Sequence, residues 1–284
     1  MKFNLDNGKV SVAVKQYGAE LSSFKSDETG TEYLWQGNPD VWYGQSPILF
    51  PIVGTLNSDT YRVNGKEYVL HRHGIARKRD FELKEQTDNS LTLTQSYNDE
   101  SLKSYPYKYV MDVKFALDGK KLTVSHTVKN ADDKDMYFSI GGHPGFNCEI
   151  GDYLEFEENE TLKCEKITPD ALLDGKLYPT LVDEKTIEIT KNIFDDDALI
   201  LSGMKSDTIY LRSNNHANYI KFNFGKAPYL GLWAKPGASY VCIEPWYGIN
   251  DNHEVTPDFS QKRDIQKLAP GAEFVFTWSA EICE

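Results

Sequence analysis

Three short stretches of the chain hold side chains able to move protons or grip a polar ligand. The stretch "GGHPGFN", residues 141–147, sets His143 among glycines and a proline. Glycine permits close approach to the main chain, and Pro144 fixes its own φ while biasing His143 toward an extended conformation. That is a way to aim an imidazole, although the same stretch also reads as a turn whose histidine is satisfied by neighbouring backbone. The stretch "HRHGIARKRD", residues 71–80, is a basic island in which His73 precedes a glycine. In "VCIEPWYGI", residues 241–249, Glu244 follows three apolar residues and precedes Pro245 and Trp246. A carboxylate at the end of such an apolar strand is poorly solvated, which raises its pKa and suits it to proton transfer. The plainer alternatives are a hydrogen-bonded surface glutamate and a solvated basic face.

The elements that must position these groups are strands. In "YVMDVKFAL", Tyr109, Met111, Val113, Phe115 and Leu117 share one face, and Phe274, Phe276, Trp278, Ala280 and Ile282 do so in "EFVFTWSAEI". Asn64-Gly65 and Asp118-Gly119 each separate two strand-like runs and read as two-residue hairpin loops. Only "TPDALLDGKL", residues 168–177, offers a short helix, with a proline near its start and a glycine near its end. His126 falls in register with Leu122, Val124 and Val128, as a core or cleft-lining residue does. No linker, charge block or internal repeat divides the chain. The expectation is one all-β domain over residues 1–284, a large antiparallel β-sandwich of two stacked sheets.

Composition narrows the function. The 284 residues are 40% hydrophobic and 13% aromatic, enough for a large core. A formal net charge of −12 disfavours nucleic acid and anionic membrane surfaces as partners. The N-terminus is too polar for a secretory signal, and no stretch approaches the roughly 20 apolar residues of a membrane span. A cytoplasmic location is the expectation. Cys148, Cys164, Cys242 and Cys283 form no CxxC pair, so they read as reduced structural thiols. No HExxH spacing is present, and no metal is the expectation.

Taken together and in order, these stretches resemble the aldose 1-epimerase (galactose mutarotase) family, most closely its LacX-like, galactose mutarotase-related branch. The resemblance covers nearly the whole chain: "YGAELSSFKSDETGTEYLWQG", "SPILFPIVG" at 46–54, "RHGIAR", "GGHPGFN", "DDALILSG" at 196–203 and "CIEPWYGI". It implies a galactose mutarotase-like supersandwich with a sugar cleft on its concave face. It further implies His143 as general acid, Glu244 as general base, His73 and Arg77 as substrate-binding residues, and Asp196 as a hydroxyl-binding carboxylate, with Asp197 the alternative in register. No cofactor is implied. Where this branch often has an arginine after "FPIVG", the chain has Thr55, leaving Arg62 or Arg77 to supply a guanidinium.

The implied reaction interconverts the α and β anomers of a hexose. It needs one proton taken from the C1 hydroxyl and one given to the ring oxygen, and each positioned group is worth roughly 10²–10⁴-fold. The basic island, with Arg72, Arg77, Lys78 and Arg79, keeps a hexose-6-phosphate 1-epimerase as the alternative, because guanidinium groups bind phosphate in bidentate fashion. A catalytically weak carbohydrate-binding or regulatory protein is the third reading. A homodimer is the assembly left open.

Overall fold

Alternation along the chain is obeyed by the structure, a computed structural model that describes all 284 residues. In Tyr109–Asp118 every second residue from Tyr109 to Leu117 is buried, and the intervening ones are not. The strand Glu273–Cys283 buries Phe276, Trp278, Ala280 and Ile282, the face the sequence marks. There are 22 strands. Fifteen of them belong to one antiparallel sheet, and Lys2–Asp6, Val10–Lys15 and Leu21–Ser26 form a separate three-stranded antiparallel sheet.

The large sheet is a single hydrogen-bonded path rather than two separate sheets, and its two halves stack. One half carries Ile140–Gly142, Gly145–Asn147, Tyr240–Tyr247 and Tyr229–Trp233; the other carries Tyr219–Asn223, Glu273–Cys283, Lys121–Asn130 and Tyr109–Asp118. Phe146 of the first half meets Phe222 of the second at 5.7 Å, and Tyr247 meets Phe276 at 5.3 Å. These aromatic pairs bury large areas and hold the layers face to face. A core of 62 buried residues running from Leu5 to Ile282 fills the space between them. His126 lies in this core, stacked on Phe276 at 5.0 Å.

Two local expectations are corrected. Asn64-Gly65 does form the loop between Thr60–Val63 and Lys66–Val69, with both residues at positive φ. The other hairpin, however, pairs Asp118 with Lys121, so its loop is Gly119-Lys120 and only Gly119 has positive φ. A glycine at the first loop position is what a type II′ turn requires, and it moves the loop one residue along. Residues 168–177 are not helical. The Thr168 N–H donates to the Leu172 carbonyl around a turn, and Leu173–Glu188 is a strand paired with Tyr153–Ile167. Sheet pairing overrides the weak helical preference of the segment. The one α-helix, Asp99–Ser104, starts at an Asn98/Ser101 capping box. No helix is long and apolar enough to cross a membrane.

Candidate active site

The site is built on the strand Tyr240–Tyr247. Alternation sends Tyr240, Cys242, Glu244 and Trp246 to one face, and all four are buried. Gly141 pairs with Trp246 and Gly145 with Cys242 across the neighbouring ladder. The chain between them keeps that register, which sets His143 directly across from Glu244. Cross-strand neighbours are the side chains a sheet brings closest. His143 Nε2 lies 3.3 Å from Glu244 Oε1.

The glycines of "GGHPG" are explained by what presses on them. A Cβ on Gly142 would stand 2.8 Å from Trp278 Nε1, and one on Gly145 would stand 3.0 Å from the Trp42 ring. Both are closer than a real side chain tolerates without its neighbour moving. Trp42 stacks on His143 at 5.1 Å and on Tyr240 at 5.3 Å, while its carbonyl accepts the Trp35 indole N–H. Trp233 and His73 each meet the His143 ring edge-on at 5.8 Å. The imidazole is therefore packed on three sides and has one orientation.

His73 is clamped from its backbone and its ring together. Its N–H donates to the Gly54 carbonyl at 2.8 Å, and the Gly54 N–H donates to its Nδ1 at 3.1 Å. It sits at φ 65°, an uncommon conformation for a residue with a side chain. On the other side of the ring the Arg72 Nε–H points at Nε2 at 3.3 Å, so both ring nitrogens face N–H donors, of which a neutral imidazole can accept one. "SPILFPIVG" and "RHGIAR" thus act as one unit.

Electrostatics follow burial. Desolvation pushes Glu244 well above the usual carboxylate range, with Arg72 opposing it and Asp197 reinforcing it. Desolvation also lowers both histidines, His143 to about 3, with Arg72 and Arg77 adding to the effect in each. The Glu244 carboxyl holds one further bond, accepting the Trp246 indole N–H at 3.2 Å.

The remaining expected groups divide. Arg77 is part-buried beside the site but donates to the Arg72 carbonyl at 2.9 Å, so it braces the loop. Asp196 turns away: its carboxylate is 71% exposed and pairs with Lys166 at 2.7 Å. Asp197 is the one facing the site, 3.5 Å from the Arg72 guanidinium. Its positive φ of 68° and the bond from the Ala198 N–H to its own carboxylate turn the chain so that adjacent aspartates diverge. The basic island does not converge either. Arg79 donates to Gln95, Tyr109 and Ser96, and Lys78 is exposed. Arg62 pairs with Glu67 beside a separate 220 Å³ cavity that holds none of the residues above. It does not stand in for the arginine missing at Thr55, whose buried hydroxyl has no partner.

Sequence reasoning placed Arg72 only within the basic island, and it missed Trp42, Trp233 and Cys242 as residues around the pair. Cys242 was within reach, since it lies two positions before Glu244 on a strand. Trp42 comes from a loop distant in sequence, and no local pattern announces it.

The family model for aldose 1-epimerase matches residues 1–277. The chain is 35% identical to the chromosomal LacX protein of Lactococcus lactis subsp. lactis over 286 aligned positions, 95% of each protein. Its structure is similar to that of a galactose mutarotase related enzyme from Lactobacillus acidophilus, with TM-score 0.96, 34% identity and coverage of 100% of this chain and 98% of that one. A galactose mutarotase-like protein from Lactobacillus casei superposes with TM-score 0.95 at 29% identity, covering both chains fully. With the match running from the N-terminal sheet through the strand that carries Glu244 to residue 277, the chain belongs to the aldose 1-epimerase family.

Proposed function

We propose that the protein is a cofactor-independent aldose 1-epimerase that interconverts the anomers of a free hexose, with Glu244 as base and His143 as acid. The observation that carries this reading is the buried cross-strand contact of His143 Nε2 and Glu244 Oε1 at 3.3 Å. Mutarotation takes a proton from O1 and gives one to the ring oxygen. An enzyme for it must therefore hold one proton between two groups that a single sugar can reach.

Burial leaves this pair with that one proton. With Glu244 raised and His143 lowered, the resting state is the neutral acid beside the neutral imidazole. The reactive form, carboxylate and imidazolium, contains the same number of protons, so no exchange with solvent is needed to reach it. Arg72 favours the carboxylate. Sugar hydroxyls replacing water supply further donors to it in a dry site, where hydrogen bonds count for more. Glu244 then removes the O1 proton as His143 protonates the ring oxygen, the ring opens, C1 rotates, and the steps reverse on the other face. The Arg72 guanidinium and the Asp197 carboxylate are a donor and an acceptor for sugar hydroxyls. The Trp42 and Trp233 rings offer apolar faces beside them.

Free sugars fit better than phosphorylated ones. Arg79 is held by three protein groups, Arg77 by the Arg72 carbonyl, and Arg72 by Asp197, so no unpaired guanidinium cluster awaits a phosphate. The test is polarimetry on freshly dissolved α-D-glucose, α-D-galactose and their 6-phosphates, in buffer with and without a chelator. Acceleration of the free hexoses, unaffected by chelation, supports the reading. A preference for the phosphates would transfer it to the phosphate branch, and no acceleration of any of them would remove it.

A further inference from the structure

The buried face that carries Glu244 holds another group, which the proton chemistry does not use. Ligand atoms of His143, Cys242 and Glu244 all lie within 4.8 Å of one another, and all three residues are buried. The set is a nitrogen, a sulfur and an oxygen, two from the strand Tyr240–Tyr247 and one from the break between Ile140–Gly142 and Gly145–Asn147 beside it. Cys242 and Glu244 alternate on one strand, and His143 stands across from Glu244. A tetrahedral zinc with ligands at roughly 2.0–2.3 Å places its donor atoms about 3.3–3.6 Å apart. The His143 to Glu244 separation of 3.3 Å already has that value. The second ring nitrogen of His143, Nδ1, is buried without a partner, so no competing hydrogen bond fixes the tautomer against ligation.

We propose that His143, Cys242 and Glu244 form a binding site for a borderline-soft divalent cation, zinc foremost, and that occupancy switches off the proton-transfer pair. Three protein ligands, one a thiolate, suit zinc better than magnesium or calcium, which take oxygen donors. Binding forms a metal–sulfur bond as the Cys242 thiol proton leaves to buffer. Where Glu244 is protonated, its proton leaves as well, and no electrons are transferred. The bound ion occupies the lone pairs of both the acid and the base, so neither can carry a proton to or from a sugar. The switching half of the proposal rests on the epimerase reading, whereas the binding half does not.

The test uses purified, chelator-treated full-length protein titrated with Co²⁺ as a spectroscopic probe. Expected are one cobalt per chain and a thiolate-to-cobalt charge-transfer band in the near ultraviolet. Zn²⁺ should displace the cobalt and abolish mutarotation. Cys242→Ser should lose the band and bind at least about tenfold more weakly, and the mutarotation it shows should resist zinc. Cys242→Ala is the second variant should the serine perturb folding. Cys283 ends the strand Glu273–Cys283 in the other half of the sheet, so Cys283→Ser is the control and should leave the band unchanged. Absence of the band in the wild-type protein, or a band that survives both Cys242 variants, overturns the site. A band with zinc-insensitive mutarotation overturns the switch. A Cys242-dependent band in a protein without any mutarotation leaves the metal site standing and removes the epimerase reading.

Discussion

Glu244→Gln separates catalysis from folding more sharply than any other single change. The amide keeps the size of the side chain, and its oxygen can still accept the Trp246 indole N–H that the carboxyl accepts at 3.2 Å. It cannot take a proton. Loss of a positioned base costs roughly 10²-fold or more in mutarotation, about 3 kcal/mol of barrier. Stability should move the other way. Burial raises the Glu244 pKa in the folded state, so the folded protein retains a proton that the unfolded chain releases. Its contribution is therefore full below the unfolded carboxylate range and is lost as pH rises through the raised folded value. Glutamine has no proton to lose, so the variant should match the wild type in acid and become the more stable of the two as pH rises. Polarimetry gives the rate, and urea denaturation at a series of pH values upward from about 4, the unfolded glutamate range, gives the stabilities. His143→Asn should cost a similar factor, and the double variant less than the product of the two, because both act on one proton exchange. A Glu244→Gln protein that turns over at the wild-type rate would refute the assignment. One that loses stability steadily with pH relative to wild type would refute the electrostatic argument.

His126, lowered to about 4 by burial, should make the fold acid-sensitive. The folded value lies below the unfolded one, so stability present above pH 6.5 is lost as pH falls toward 4, in total about 3 kcal/mol, and urea midpoints of His126→Gln should fall less over that range. Asp197→Asn should raise the KM for hexose by about tenfold or more, the worth of a charged hydrogen bond, whereas Asp196→Asn should leave it within about twofold because its partner is Lys166 on the surface; steady-state kinetics on both decide which aspartate faces the sugar. Arg79→Ala should lower stability by about 1–3 kcal/mol through its lost bonds to Gln95, Tyr109 and Ser96, with kcat unchanged. A fall in kcat without a fall in melting temperature would return the basic island to the catalytic site.

The strands were legible because half-burial writes itself into sequence with period two, as in Tyr109–Asp118 and Glu273–Cys283. Hairpin loops were legible to within one residue: Asn64-Gly65 is where the sequence puts it, while at Gly119 two acceptable glycine turns differ only by register. The burial of Glu244 and the crowding of His143 were legible for a physical reason, since an apolar approach and flanking glycines describe a buried carboxyl and a crowded imidazole. What escaped was anything decided by a single backbone dihedral or a distant loop. Asp196 and Asp197 are chemically identical neighbours, and only the turn at φ 68° selects between them. Lys78 and Arg79 look like the rest of their island, yet the short 3₁₀ turn Ala76–Lys78 fans those side chains in different directions. That the two halves of the large sheet are one continuous path is a long-range property, set by which edges meet.

The proline in "GGHPGFN" shows how register and chemistry are reconciled. Ile140–Gly142 and Gly145–Asn147 pair with the same partner strand in the same register, so the chain between them neither gains nor loses a residue. Pro144 has no N–H to give the ladder, and its carbonyl instead accepts from Ile243 N at 3.1 Å. The sheet is thereby interrupted as a ladder but not as a frame, and the interruption falls on the residue pair opposite Ile243 and Glu244. A continuous ladder there would fix His143 as one more pleat of the sheet. The break leaves its ring to be oriented by Trp42, Trp233 and His73, while the paired segments on either side hold its Cα opposite Glu244. Since misplacing a reacting group by about 1 Å can cost 10²-fold, a frame that is rigid in register and open at one pair suits the proton sharing proposed for His143 and Glu244.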